Sequence, residues 1–187
     1  MEAVKRRVAL YGGSFNPPHQ CHVLVATWVL CRGGVDEVWL LPALGHAFGK
    51  ELASFETRCR MLEVAVAHLG PHVRVERIEG ELPAPSYTVD TVRALLAREP
   101  ELEPTLVMGT DAYAERHKWK AWDELERLVG GRILIVGRGD GDAPTETFRL
   151  PDLSSTDVRR RVAAGEPYWW LVPEGVRAII EAERLYR

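Results

Sequence analysis

Residues 7–30 read RVALYGGSFNPPHQCHVLVATWVL, where glycines, prolines and histidines separate two apolar segments. The first segment is short enough for a buried strand, and the second is long enough for about three helical turns. A strand that runs through a loop into a helix is the repeating unit of parallel α/β sheets. This stretch therefore predicts the fold class and places a loop where such sheets bind ligands, beyond the carboxyl end of a strand.

The same alternation of short apolar runs and helical periods continues along the chain. We expect strands at residues 7–11, 37–41, 73–78, 105–108 and 132–136, and helices at residues 21–31, 55–69, 89–97, 123–129, 156–164 and 174–185. No Gly- or Pro-rich segment is long enough to link two domains. The sequence thus predicts one α/β domain over residues 1–187, a Rossmann-like doubly wound parallel sheet of about five strands.

Composition excludes several classes of partner. The 187 residues carry a formal net charge of −3, which gives no polycationic surface and argues against a nucleic-acid partner. No apolar stretch approaches the roughly 20 residues that span a bilayer, and the run after Lys5–Arg7 is too short for a signal peptide, so no membrane partner is expected. Three cysteines form neither an even framework nor a C-x-x-C pair, which is typical of a reducing compartment. We therefore expect a cytoplasmic protein.

The loop between the first strand and the first helix has the features of a phosphate site. Gly12 and Gly13 lack a Cβ, which permits a tight turn and a close approach of backbone N–H groups to a ligand. His19 and His22 are three residues apart, so they project from nearly the same face of the first helical turn, where the helix dipole favours an anion. Ser14 offers a further hydroxyl. The stretch contains neither the G-x-G-x-x-G fingerprint nor a P-loop.

Two other interpretations of this loop stay open. The glycines and prolines could mark only a turn whose histidines cap a helix. Cys21 with His19 and His22 could instead contribute to a metal site, although zinc needs four ligands and the sequence shows no partner pair elsewhere.

A second helix start lies far along the chain at residues 153–162, LSSTDVRRRV. Ser154 or Ser155 is suited to cap the helix, and Asp157 places an acidic group in its first turn. Arg159 follows within one turn, so this helix start can also hold an anion. A plain capped surface helix with solvated arginines is the alternative.

These two segments resemble a known family. Residues 12–22, GGSFNPPHQCH, resemble the motif G-[GS]-[ST]-F-[DN]-P-x-H-x-G-H of the nucleotidyltransferase superfamily and depart from it at Cys21, where the family has glycine. Residues 153–159 resemble the second motif of that superfamily, [IL]-S-S-T-x-[IV]-R, at every position. The resemblance implies that both segments bind ATP and that His19 and His22 are catalytic. The implied ATP-binding residues in them are Gly12, Gly13, Ser14, Phe15, His19, His22, Ser155, Thr156 and Arg159.

Three further segments resemble bacterial nicotinate mononucleotide adenylyltransferases: PSYTVDTVRALL, MGTDAYAERHKWKAWDEL and YWWLVPEGVRAIIEAERLY. The resemblance therefore spans nearly the whole chain. In that family an S-Y-T segment and a tryptophan hold the pyridine base, which implies that role for Tyr87, Thr88 and Trp119. A G-x-D motif near the nucleotide ribose corresponds to Gly109 and Asp111, as further ATP-binding residues. The alternatives are a core position for Trp119 and a helix cap for Asp111.

The loop after the second strand, ALGHAFGKELASFETR, departs from the proline-rich P-P-H-[KR] form of the family but still carries His46 and Lys50. We expect Lys50 and Asn16 to bind the mononucleotide, and the alternative for Lys50 is a solvated loop position. Arg58 has no assigned role.

The resemblance implies an adenylyltransferase that joins the AMP moiety of ATP to nicotinate mononucleotide, giving deamido-NAD and pyrophosphate. Mg²⁺ is expected on the ATP phosphates, without a protein metal site, because no carboxylate cluster is evident. The expected partners are ATP and nicotinate mononucleotide, and the sequence is compatible with a homo-oligomer. The alternatives are an adenylyltransferase for nicotinamide mononucleotide or phosphopantetheine and a non-catalytic nucleotide-binding regulator. An NAD-dependent oxidoreductase is disfavoured by the missing G-x-G-x-x-G.

Overall fold

A computed structural model of the chain describes residues 5–45, 52–138 and 149–187. Its parallel strands form one sheet in the order β3-β2-β1-β4-β5-β6. The strands are β1 (Arg6–Gly13), β2 (Glu37–Pro42), β3 (Val73–Val75), β4 (Leu102–Gly109), β5 (Ile133–Arg138) and β6 (Arg149–Leu150). The predicted parallel α/β sheet is confirmed, and a two-residue sixth strand, too short to show any period, joins the five expected ones.

In the described ranges, seven α-helices connect and follow these strands. They are α1 (Gln20–Arg32), α2 (Phe55–Val66), α3 (Thr88–Arg98), α4 (Thr110–Ala114), α5 (Trp122–Leu128), α6 (Ser155–Ala163) and α7 (Glu174–Ala182). Helix α2 ends earlier than predicted, because Gly70 takes a positive φ and Pro71 follows it in a 3-10 segment over Ala67–His72. Helix α4 was not predicted, since five residues are too few to show a helical period.

The helices cover both faces of the sheet and divide the core in two. Side chains alternate along β1, so that Ala9 faces one core cluster while Val8 and Leu10 face the other. Helices α1, α2, α6 and α7 pack on the Ala9 face, and α3, α4 and α5 pack on the opposite face. Within the three described ranges, no helix is long and apolar enough to cross a membrane.

The order of the strands places a crevice beside β1. From β1 the chain passes through α1 to β2 on one side, whereas β4, its other neighbour, continues through α4 and α5 to β5 on the opposite side. The loops that leave the carboxyl ends of β1 and β4 therefore diverge, and ligands of doubly wound sheets bind at such a switch point. The segment 13–20 and the start of α4 flank this crevice.

Candidate active site

The loop after β1 turns at Phe15. Its φ of +46° lies in the left-handed region, which is uncommon for a bulky side chain. Its buried ring packs edge to face against His22, with ring centroids 4.9 Å apart. We expected the glycines to make this turn, but neither Gly12 nor Gly13 has a positive φ. Instead, a Cβ on Gly13 would lie 3.0 Å from the Phe15 ring, whereas a Cβ on Gly12 would enter open space. Gly13 therefore makes room for the ring, and Gly12 leaves the edge of the loop open to a ligand.

The two histidines stack on each other at the start of α1. Their ring centroids are 3.7 Å apart and their planes are inclined by 28°. The backbone N–H of His19 donates to Nδ1 of His22 at 3.1 Å. An atom that accepts this bond carries no proton, so the neutral His22 ring holds its proton on Nε2 and presents a hydrogen-bond donor there. The structure thus brings together the two residues that the sequence predicted to share one face.

Helix α6 begins with the capping geometry that its sequence indicated. Ser154 is the N-cap: its Oγ accepts from the Asp157 backbone N–H at 3.1 Å and donates to the Asp157 carboxylate at 2.5 Å. This hydrogen bond lowers the pKa of the Asp157 carboxyl below its ordinary value. The cap is therefore Ser154, which leaves the hydroxyl of Ser155 for another contact.

Helix α6 also contacts the loop after β1 directly. Ser155 Oγ donates to the carbonyl oxygen of Pro17 at 2.9 Å, across 138 positions of sequence. Arg159 Nη1 donates to the carbonyl oxygen of Asn16 at 2.6 Å, and its Nη2 donates to Thr156 Oγ1 at 3.2 Å. The two segments that resemble nucleotidyltransferase motifs are thus joined, and the start of α6 lies beside the start of α1.

Arg58, on α2, also holds the loop after β1. Its side chain is fully buried, and its guanidinium donates to the carbonyl oxygens of Ser14 at 2.7 Å, Ala53 at 3.0 Å and Leu44 at 3.1 Å. Burial lowers the pKa of Arg58 from its ordinary value. The sequence offered no signal for this role, because arginine in a polar helical turn is normally exposed. Together with Arg159, Arg58 places a second positive charge on the backbone of the loop.

Asn16 is the residue at which these elements meet. Its Oδ1 accepts from the backbone N–H of Ala53 at 3.1 Å and from the hydroxyl of Tyr186 at 2.7 Å. A backbone N–H can only donate, so this atom is the carboxamide oxygen. The Nδ2 group is buried, and no hydrogen-bond partner for it occurs among the described residues. The sequence indicates no role for Tyr186, since nothing in its surroundings along the chain points to a contact 170 positions away.

A second group of predicted residues lies at the start of α3 and after α4. Tyr87 caps α3 and is 42% exposed, and the Nζ of Lys120 lies 4.6 Å from its ring centroid. Thr88 is the first residue of α3. Trp119, next to Lys120, is half-buried and packs edge to face on Trp122, with centroids 6.1 Å apart. Lys120 therefore links the segment of Tyr87 to the segment of Trp119.

Of the remaining predicted residues, two lie beside the crevice, and the others are not among the described residues. Gly109 ends β4 and caps α4, and a Cβ on it would meet nothing within 4 Å. Asp111 is exposed in the first turn of α4. His46 and Lys50 lie outside the described residues. The described part of the chain contains no group of three or more His, Cys, Asp or Glu side chains that could hold a metal ion. What it assembles is a set of hydrogen-bond donors and guanidinium groups at two helix starts, which suits phosphate groups.

A family model described as cytidylyltransferase-like matches residues 10–161. The chain is 46% identical over 186 residues to a protein of Anaeromyxobacter dehalogenans (strain 2CP-C) with the name "Probable nicotinate-nucleotide adenylyltransferase", covering 97% of each chain. A Myxococcus xanthus (strain DK1622) protein of the same name is 38% identical over 181 residues, covering 96% of this chain and 94% of the relative.

Two solved structures of a Plasmodium falciparum nicotinic acid mononucleotide adenylyltransferase share the fold. One, complexed with NaAD, superposes with a TM-score of 0.80 at 17% identity, and the other, complexed with APC, superposes with a TM-score of 0.77 at 16% identity. Each superposition covers 97% of both chains. At identities this low, the likeness shows that the chains share a fold and shows nothing further.

Proposed function

This chain belongs to the cytidylyltransferase-like family, and from that premise we propose that it is a nicotinate-nucleotide adenylyltransferase, which joins the AMP moiety of ATP to nicotinate mononucleotide. The products are deamido-NAD and pyrophosphate. The relatives reported above are named for this activity, and one of them is 46% identical to this chain over 97% of both chains.

One structural observation carries the proposal: the contact between the loop after β1 and the start of α6. Arg159 and Ser155 donate to the backbone of Asn16 and Pro17, so the starts of two helices lie together at the switch point of the sheet. Such an arrangement suits a polyphosphate, because each helix start favours negative charge. A nucleoside triphosphate presents that charge in one extended chain.

The reaction needs no base from the protein. The phosphate monoester of the mononucleotide is largely dianionic near pH 7, so one of its oxygens can attack the α-phosphorus of ATP directly. The bond between that oxygen and the α-phosphorus forms, the bond from the α-phosphorus to the bridging oxygen breaks, and pyrophosphate leaves with the electron pair. The protein must align the two anions and neutralise charge that develops on the α-phosphoryl oxygens and the leaving group.

Different residues at the crevice bind different parts of ATP. We assign His19 and His22 to the α-phosphoryl oxygens, where the Nε2 proton of His22 supplies a donor. Gly12, with open space beside it, admits the triphosphate, and Thr156 and Arg159 hold its outer phosphates together with Ser155. Gly13, Ser14 and Phe15 complete the ATP-binding loop, and Gly109 and Asp111 lie on the ribose side. Mg²⁺ enters as part of the substrate Mg·ATP, where it neutralises phosphate charge when bound.

The acceptor is proposed to lie on the other side of the crevice. Tyr87 and Trp119, linked through Lys120, offer aromatic surfaces for a pyridine ring, and Thr88 offers a hydroxyl. Asn16, whose buried Nδ2 is a free donor within the described part of the chain, binds the mononucleotide phosphate. Lys50 is proposed to reach the same phosphate.

Pyrophosphate release by purified protein with ATP and Mg²⁺ tests the activity. Nicotinate mononucleotide, nicotinamide mononucleotide and phosphopantetheine are compared as acceptors, and turnover is expected to be well above the others with the nicotinate form. Equal or higher turnover with another acceptor would assign the chain to that substrate instead. Binding of ATP without pyrophosphate release from any acceptor would indicate a nucleotide-binding regulator.

A matched pair of variants tests the site. Arg159→Ala removes the group that joins the two helix starts and should raise the KM for ATP. Arg160→Ala, one position along the same helix, removes an exposed side chain paired with Glu166 at 3.0 Å and should leave the KM for ATP close to that of the wild type. Equal KM values for both variants would argue against the proposed phosphate site.

A further inference from the structure

The segment that follows α7 reaches back to the loop after β1. Arg184 and Tyr186 both adopt the left-handed backbone conformation, with φ of +52° and +62°, and so turn the chain after the helix. Glu183, just before this turn, accepts from Arg60 Nη2 at 2.5 Å and from Thr57 Oγ1 at 3.2 Å, both on α2. A left-handed residue with a side chain is strained and persists only where its surroundings determine it. The segment is therefore held in place on α2.

This placement directs the Tyr186 hydroxyl at the carboxamide of Asn16. The hydroxyl donates to Oδ1 at 2.7 Å, and the Ala53 N–H donates to the same oxygen at 3.1 Å. Burial raises the pKa of Tyr186 above its ordinary value of 10.0, so the hydroxyl keeps its proton, and remains a donor, throughout the neutral range. Two donors on one oxygen also select the orientation of the amide, because a flipped amide would set its NH₂ group against the Ala53 N–H.

We propose that Tyr186 is a positioning residue of the transfer reaction: its hydroxyl holds the Asn16 carboxamide so that Nδ2 faces the phosphate of the acceptor mononucleotide. The inference rests on the proposed function, in which Asn16 binds that phosphate. Tyr186 acts through Asn16 and needs no contact with either substrate.

Asn16 is suited to such control because its backbone carbonyl is already held. Its carbonyl oxygen accepts from Arg159 at 2.6 Å, and the next carbonyl along the loop, that of Pro17, accepts from Ser155 at 2.9 Å. With the backbone fixed, the side-chain amide can still rotate about its own axis, and its oxygen is secured by Ala53 and Tyr186. Loss of the hydroxyl leaves one donor where there were two.

The test compares Tyr186→Phe, at a half-buried tyrosine, with Tyr168→Phe, which makes the same chemical change at a buried one. One neutral hydrogen bond is removed, so we expect Tyr186→Phe to raise the KM for nicotinate mononucleotide roughly three- to tenfold, while the KM for ATP stays within about twofold. A purely structural role would instead lower the amount of active enzyme and reduce kcat without changing either KM. Tyr168→Phe should leave both KM values near those of the wild type.

A second measurement does not depend on activity. Amide hydrogen exchange over residues 12–22, followed without substrates, should be faster in Tyr186→Phe than in wild type and unchanged in Tyr168→Phe, because the loop loses one of its attachments. If the wild type does not turn over nicotinate mononucleotide, the proposed function fails, and loop exchange still decides whether the Tyr186 hydroxyl holds the loop after β1. Loop exchange equal to that of the wild type, or an unchanged KM for an accepted mononucleotide, overturns the inference.

Discussion

Replacement of Arg58 by methionine should be among the most destabilising single changes in the chain. The guanidinium supplies donors to three carbonyl oxygens, those of Ser14, Leu44 and Ala53, and the Arg58 side chain is fully buried. A buried polar group left without a partner costs about 1–3 kcal/mol, and the gain from no longer burying a charge offsets part of the total. We therefore expect the free energy of unfolding to fall by about 3–5 kcal/mol, out of the roughly 5–15 kcal/mol typical of a folded domain.

Urea unfolding followed by tryptophan fluorescence measures this loss, with far-ultraviolet circular dichroism as a second probe. Arg58→Lys keeps the charge but cannot reach three carbonyls at once, so its loss should be intermediate. The matched control is Arg60→Met on the same helix. The Arg60 side chain is 46% exposed and pairs with Glu183, so this substitution should lower the free energy of unfolding by less than about 1 kcal/mol. A loss for Arg58→Met no larger than that for Arg60→Met would refute the view that this guanidinium supports the loop after β1.

Other substitutions separate folding from catalysis. Gly12→Ala should leave the unfolding midpoint unchanged, because its Cβ enters open space, yet should lower kcat/KM for ATP by about 10²-fold if the triphosphate passes there; full activity would place the triphosphate elsewhere. His19→Ala should reduce kcat by about 10²–10³-fold and change ATP binding far less, and equal kcat would remove His19 from the mechanism. Lys50→Ala should raise the KM for the mononucleotide and leave that for ATP unaltered, whereas an unchanged acceptor KM would return Lys50 to the solvated surface. Ser154→Ala should cost about 1 kcal/mol at pH 7. Since the folded pKa of Asp157 is depressed by the Ser154 hydroxyl, that difference should shrink as the pH falls below 3.8, the ordinary pKa of the carboxyl; a difference independent of pH would contradict the hydrogen bond from Ser154 to the Asp157 carboxylate.

The strands and helices were largely predictable from the sequence because each is encoded within its own short window. Strand β1 and helix α1 follow from an apolar run, a turn and a second apolar run, and α6 from a serine followed three residues later by aspartate. Strand β6 and helix α4 were missed because two and five residues give no measurable period. The early end of α2 follows from Gly70 and Pro71, a signal that was present but outweighed by the apolar residues around it.

The candidate site was predictable only as a set of residue types. The sequence indicated that residues 12–22 and 153–159 share a chemistry, and the structure shows them in contact through Ser155 and Arg159. It did not indicate that Phe15 makes the turn, because a positive φ in a bulky residue runs against its local preference and is imposed by packing on Gly13 and His22.

By itself the sequence determined the parallel α/β architecture and predicted phosphate-binding chemistry for residues 12–22 and 153–159, since hydrophobic period, turn residues and helix starts are local properties. Only the tertiary structure decided which groups hold the loop after β1. Arg58 meets it from 44 positions away, Arg159 from 143 and Tyr186 from 170. Hydrogen bonds depend on distances in space. In the sequence, a buried arginine, or a tyrosine near a helix end, cannot be distinguished from an exposed residue of the same type. Their roles follow from burial and from the few ångströms that separate them from the backbone and side chain of the loop.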